Sequence, residues 1–170
     1  MIVVDASPLI LTAKTELLDI FLQSKEKAII SEEVEKEATK KDSFDAILIK
    51  QRIKEKKITV KKVKGKKQVE KIAKDFKLQK GEAETIILCI ENKCKGIATD
   101  DYNAMKACTV VGIKYISTLA ILVNLAKKRK LSKEEAILKI EQLAKYGRYS
   151  KEIIDDVKNR IGGAKNAENT

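Results

Sequence analysis

Five short apolar runs alternate along this chain with longer stretches of helical periodicity, and this alternation limits the fold more than any other feature. The runs are Ile2-Val3-Val4, Ala28-Ile29-Ile30, Ile58-Thr59-Val60, Gly96-Ile97-Ala98 and Lys114-Tyr115-Ile116. Between them, apolar residues recur at helical spacing, as at Ala83, Ile86, Ile87 and Ile90. Ser7 is the candidate cap of the first helix. Gly81 is expected to break the helix before Ala83, and Gly112 to end the one after Tyr102. Strands separated by whole helices pair in parallel, through crossovers, rather than as hairpins. The pattern therefore predicts an α/β fold with a largely parallel sheet and helices on both sides.

Two of the runs end in carboxylates. Asp5 follows Val4; Asp100 and Asp101 follow Thr99, and Tyr102 opens the next helix. Two helices begin with glutamates. Glu82 and Glu84 flank Ala83 in one, and Glu37 lies slightly deeper in the other, beside Val34 and Ala38. Each has an ordinary structural use. Aspartate is a good N-cap, a first-turn glutamate offsets the helix dipole, and Glu37 has Lys41 as an i, i+4 partner. The combination points elsewhere. In a parallel sheet the carboxyl ends of the strands and the amino ends of the following helices share one edge, where ligands bind. The acids can therefore converge. A carboxylate cluster repels itself and raises the pKa of its members. Mg²⁺ or Mn²⁺ removes that penalty and takes all-oxygen ligands.

What the chain lacks narrows the chemistry. It has no histidine, which removes Ser-His-Asp and Cys-His nucleophiles, His-ligated zinc and His proton shuttles. Cys89, Cys94 and Cys108 are odd in number and form no Cys-x-x-Cys pair, so they support neither a zinc ribbon nor a disulfide framework. They read as buried thiols of a protein in the reducing cytoplasm. The N-terminus has no basic segment leading into a long apolar core, as a signal peptide would, and no apolar run reaches membrane-spanning length. A nucleophilic-aspartate phosphohydrolase would want Asp-x-Asp, and Asp5-Ala6-Ser7 puts serine at the second position.

The net charge of +11 suits a polyanion partner or a basic, soluble surface. Lysines concentrate from Lys54 to Lys67, including Lys61, Lys62 and Lys64. No aromatic residue is interleaved with them, so the run can hold a nucleic-acid backbone but not stack bases; a lysine-protected sheet edge explains it equally simply. Ser132 with Glu135 forms a capping-box pattern at the start of a helix through Ile140 and Leu143. Gly147 stops that helix, and another is expected from Ser150 to Ile161.

At this point the motifs match a family. V-V-D-A-S at Val3–Ser7, S-E-E-V-E-K-E at Ser31–Glu37, G-E-A-E-T-I-I-L at Gly81–Leu88 and A-T-D-D-Y at Ala98–Tyr102 occur in this order and spacing. The chain resembles the PIN-domain nucleases from Met1 to about Lys130. Its last helices resemble the extension of a toxin-like branch. Around A-T-D-D-Y it is also similar to archaeal endonucleases that mature small-subunit ribosomal RNA, which carry a zinc ribbon that these cysteines cannot build.

The resemblance implies a three-layer α/β/α fold with a five-stranded parallel sheet over residues 1–130 and a helical extension over 131–163; after Gly162-Gly163 a disordered tail is expected over 164–170. It implies a Mg²⁺- or Mn²⁺-dependent ribonuclease acting on single-stranded RNA. The implied partners are RNA, an antitoxin protein if the toxin-like branch applies, and a second copy of the chain in a homodimer. Asp5, Glu37, Glu84 and Asp101 would be the catalytic acids. Asp5, Glu84 and Asp101, with Asp100, would bind the metal, and Glu82, Asp100, Ser7 and Thr99 would assist. Lys61, Lys62 and Lys64 would hold RNA. The sequence leaves open the register between Glu82 and Glu84, that between Asp100 and Asp101, and the number of metal ions. A non-catalytic RNA-binding or ribosome-assembly module on the same fold is the alternative.

Overall fold

The structure is a computed structural model that describes residues 1–23 and 26–162. The tail expected over 164–170, and Gly163 before it, lie outside the described residues. The elements run β1 (Ile2–Val4), α1 (Ala6–Lys14), α2 (Leu18–Leu22), β2 (Ala28–Ser31), α3 (Glu32–Thr39), α4 (Phe44–Lys54), β3 (Ile58–Lys61), α5 (Lys66–Phe76), α6 (Lys80–Glu91), β4 (Gly96–Ala98), α7 (Tyr102–Val111), β5 (Tyr115–Ile116), α8 (Thr118–Lys127), α9 (Lys133–Tyr146) and α10 (Lys151–Gly162). Among the described residues none of these helices is long and apolar enough to cross a membrane.

The five strands form one sheet in the order β3-β2-β1-β4-β5, and every pairing is parallel. The expected three-layer α/β/α architecture is present. Alternation along each strand explains the layers, because successive side chains leave opposite faces of a sheet. Val3, Ile29 and Ile97 pack with α5, α6 and α7 on one face. Val4, Ile30 and Ala98 pack with residues of α1, α3, α4 and α8 on the other.

A third cluster joins the last two helices to the rest. Ala136, Ile140 and Leu143 of α9 and Ile154, Val157 and Ile161 of α10 bury against Leu119, Leu122 and Val123 of α8 and against Leu11 of α1. The capping box at Ser132 and Glu135 is formed, with both hydrogen bonds present. Gly112 ends α7 at φ 74°, a left-handed position that favours glycine.

Two local expectations are corrected. Gly81 is not a helix breaker; Lys77, at φ 55°, closes α5, and Gly81 lies inside α6. Ser7 does not cap the first helix; the Asp5 carboxylate does, by accepting the Ala6 N–H at 2.8 Å.

The strand order matters most for function. From β1 the chain winds outward through β2 to β3, then returns to lay β4 on the other side of β1. The direction of winding thus reverses between β1 and β4. Crevices at the carboxyl ends of the strands flanking such a switch point are where α/β sheets bind ligands.

Candidate active site

Asp5 and Thr99 meet at that switch point, although 94 residues separate them. Val4 pairs with Ala98 in the sheet, and the Asp5 N–H donates to the Ala98 carbonyl at 2.9 Å. One residue farther on, the Thr99 hydroxyl donates to Asp5 Oδ2 at 2.9 Å, and Oδ1 takes the Ala6 N–H. Asp5 is only 4% exposed. Burial pushes its carboxyl up to about 7, against the two hydrogen bonds that lower it, and the charges of Glu82 and Glu37 raise it further.

The neighbouring acids close round it. Asp101 caps α7 through the Ala104 N–H at 2.7 Å, and its own N–H donates to the Thr99 hydroxyl at 3.2 Å. Asp100 is turned to α8, where its two oxygens accept the Thr118 N–H at 2.8 Å and the Thr118 hydroxyl at 2.6 Å. Burial raises the Asp100 carboxyl, while Thr118 and Ser7 hold it down. Glu82 takes the Gln79 N–H at 2.8 Å in a capping box that starts α6. Burial raises its carboxyl, the Gln79 bond lowers it, and Asp101 and Glu37 add to the rise. Glu37 Oε2 sits 3.4 Å from where a Cβ on Gly81 would lie, so the absence of a side chain at Gly81 lets the first turn of α6 stand close to α3.

Asp5, Ser7, Glu37, Glu82, Asp100 and Asp101 line one cleft of about 720 Å³, and Thr99 supports its floor through Asp5. The structure does not bring Glu84 there. Glu84 follows Glu82 by two residues, a turn of about 200° round the helix axis. It lies in a separate depression with Lys62, Lys66 and Lys80, 3.9 Å from the Lys80 Nζ. Glu82 occupies the place expected for Glu84. Lys61, Lys62 and Lys64 are also elsewhere. They surround a third depression, where Lys61 donates to Asn92 at 2.6 Å and Glu91 takes the N–H groups of Lys64 and Gly65. From Glu82 to Glu91 is nine residues of helix, about 13 Å along the axis.

Other cleft residues were missed by the sequence reading. Lys14 lies at the end of α1, Tyr146 ends α9, and Arg148 and Tyr149 come from the turn between α9 and α10. Their one trace in the sequence is that two of its four tyrosines fall within four residues of each other.

The donor set fits a hard divalent cation in its chemistry, since it is all oxygen, centred on the buried Asp5 and self-repelling. Among the described residues no three acidic or thiol side chains stand together as a ready-made cage. Mg²⁺ does not need such a cage, since it keeps several waters and is usually held by one or two carboxylates together with substrate phosphate.

A comparison with curated proteins returned no match. The family model DUF3368, described as a PIN domain, matches residues 1–162, and so spans both the sheet domain and the last two helices. PIN domains are nuclease-type folds that generally use divalent metal ions. With its parallel sheet, its acid-lined switch point and this match, the chain belongs to the PIN-domain family.

Proposed function

We propose that this protein is a divalent-metal-dependent endoribonuclease that hydrolyses phosphodiester bonds of single-stranded RNA. The observation that carries the reading is Asp5, a nearly buried carboxylate pushed up to about 7 and surrounded by further acids in an open cleft. A fold keeps such a group against its own stability where a ligand of opposite charge repays the cost.

In this reading Asp5, Glu82 and Asp101 would hold Mg²⁺ or Mn²⁺, in part through the waters the ion keeps. The ion would lower the pKa of a bound water and offset charge on the phosphate. The Thr99 hydroxyl and the Ala6 N–H fix the Asp5 carboxylate, one on each oxygen. Glu37, exposed at the cleft and next to Gly81, orients the attacking water and takes its proton. Asp100 spends both oxygens on Thr118 and so positions α8 against the site. Glu84 has no part in this scheme.

The test is cleavage of a generic single-stranded RNA by the full chain with Mn²⁺ or Mg²⁺, with and without chelator. Cleavage that needs the metal and is lost in Asp5→Asn supports the reading. Binding without cleavage under either metal would instead make the protein an RNA-binding module. Cleavage that persists in Asp5→Asn would reveal a contaminating nuclease.

A further inference from the structure

The acid-lined cleft has a second wall, and that wall has the opposite chemistry. The cleft follows α1 from Asp5 at its N-cap to Lys14 in its last turn. Nine residues of helix span about 13 Å, and at 3.4 Å per stacked residue that accommodates about four nucleotides of one strand. At the Lys14 end stands the turn between α9 and α10. Tyr146 is 55% exposed there, and the Lys14 ammonium lies 5.3 Å from its ring centroid. Arg148 lines the same end. Neither Lys14 nor Arg148 pairs with a carboxylate among the described residues.

Tyr149 adds an unspent donor. Its hydroxyl is buried beside the Thr118 hydroxyl, yet no hydrogen bond of good geometry holds it among the described residues. Burial and then the charge of Asp100 raise its pKa, and the Thr118 hydroxyl offsets only part of that rise, so it stays protonated. Buried polar groups are nearly always paired, and an acceptor oxygen on a bound ligand would complete this one.

We propose that Lys14, Tyr146, Arg148 and Tyr149 form the seat for the single strand that flanks the scissile phosphate. Lys14 and Arg148 hold backbone phosphates, Tyr146 stacks one base, and the Tyr149 hydroxyl donates to a phosphate or ribose oxygen. The seat rests on the nuclease reading for its position beside the acids. It also gives the last two helices a role beyond packing, because their connecting turn completes the cleft. The strand must be single, since base faces are open to an aromatic ring only when unpaired.

The test is fluorescence anisotropy of a labelled 12-nucleotide single-stranded RNA on the full chain in chelator, where cleavage cannot interfere. Loss of two phosphate contacts in Lys14→Ala/Arg148→Ala should flatten the slope of log affinity against log salt by about 1.4. Tyr146→Ala should weaken binding by about 5- to 150-fold, and Tyr146→Phe should restore it. Tyr149→Phe should weaken binding by about 2- to 10-fold without lowering the melting temperature, a split that a purely structural tyrosine would not give. An unchanged slope, or wild-type affinity in both Tyr146→Ala and Tyr149→Phe, overturns the proposal. So does an absence of measurable wild-type binding at low salt. The outcomes separate from those of the cleavage assay. Metal-dependent cleavage with unaltered binding in these variants sinks the seat alone, and the predicted binding losses without any cleavage sink the nuclease reading alone.

Discussion

The two ends of α6 carry carboxylates to opposite purposes. At its first turn Glu82 shares a cleft with Asp5, Asp101 and Glu37, and burial first, then the charges of Asp101 and Glu37, raise its pKa. At its last turn Glu91 accepts the N–H groups of Lys64 and Gly65, and the Asn92 cap takes the Lys61 ammonium. One helix thus ends in an unrelieved acidic cluster and in a settled contact between an acid, an amide and a basic turn. The settled end shapes the protein. The unrelieved end works against the fold, and the proposed cation would account for it. Charge that the protein does not satisfy internally is therefore the better guide to function here than charge that is merely abundant.

The largest expected effect breaks the comparison at its acidic end. Asp5→Asn should lower metal-dependent cleavage by orders of magnitude, and Glu82→Gln by at least about 10- to 100-fold. Glu91→Gln and Glu84→Gln should stay within about threefold. A loss in Glu84→Gln as deep as that in Glu82→Gln, read by gel cleavage, would reverse the register assigned to α6.

Stability should show the next effect. An acid whose pKa is raised on folding costs nothing below its unfolded value, near 3.8. The cost then grows as pH rises and is complete above about 7. For Asp5 it amounts to roughly 4 kcal/mol at pH 8. In urea melts with chelator, wild type should lose stability between pH 4 and pH 7, and Asp5→Asn should lose less. Parallel pH profiles would remove the unrelieved charge from the account.

Smaller effects are expected at the basic end. Glu91→Ala should cost about 1 kcal/mol, because it frees two backbone N–H groups that water can still reach. Lys61→Ala/Lys62→Ala/Lys64→Ala should change the salt slope of RNA binding by less than one phosphate contact, about 0.7. A larger change would mean that the lysine turn holds the strand and that the seat beside α9 does not.

The fold was legible because its signals are local. β-branched runs, the capping box at Ser132 and Glu135, and the left-handed stop at Gly112 are each written within a few residues. The acids at the strand ends were legible for the same reason. The choice between Glu82 and Glu84 was not, because it depends on where α6 starts. Reading Gly81 as a breaker hid the cap at Gln79, which sets Glu82 toward the cleft. The contact between Asp5 and Thr99 follows from strand order, which hydrophobic periodicity does not encode. The turn at Tyr146–Tyr149 was invisible for a third reason. A connection between two helices has no periodicity of its own, and its position at the cleft arises from the packing of α9 and α10 on α8.

The most direct measurement of the central claim, that the acids at the switch point hold a divalent cation, is the melting temperature of wild type and Asp5→Asn at pH 8 as Mn²⁺ is added. A ligand at a hundredfold excess over its Kd contributes about 2.7 kcal/mol, which in a chain of this size raises the melting temperature by about 5–10 °C. Wild type should show that rise, and Asp5→Asn, starting from a higher melting temperature without metal, should show little of it. A flat wild-type titration, or an equal rise in Asp5→Asn, would contradict the account.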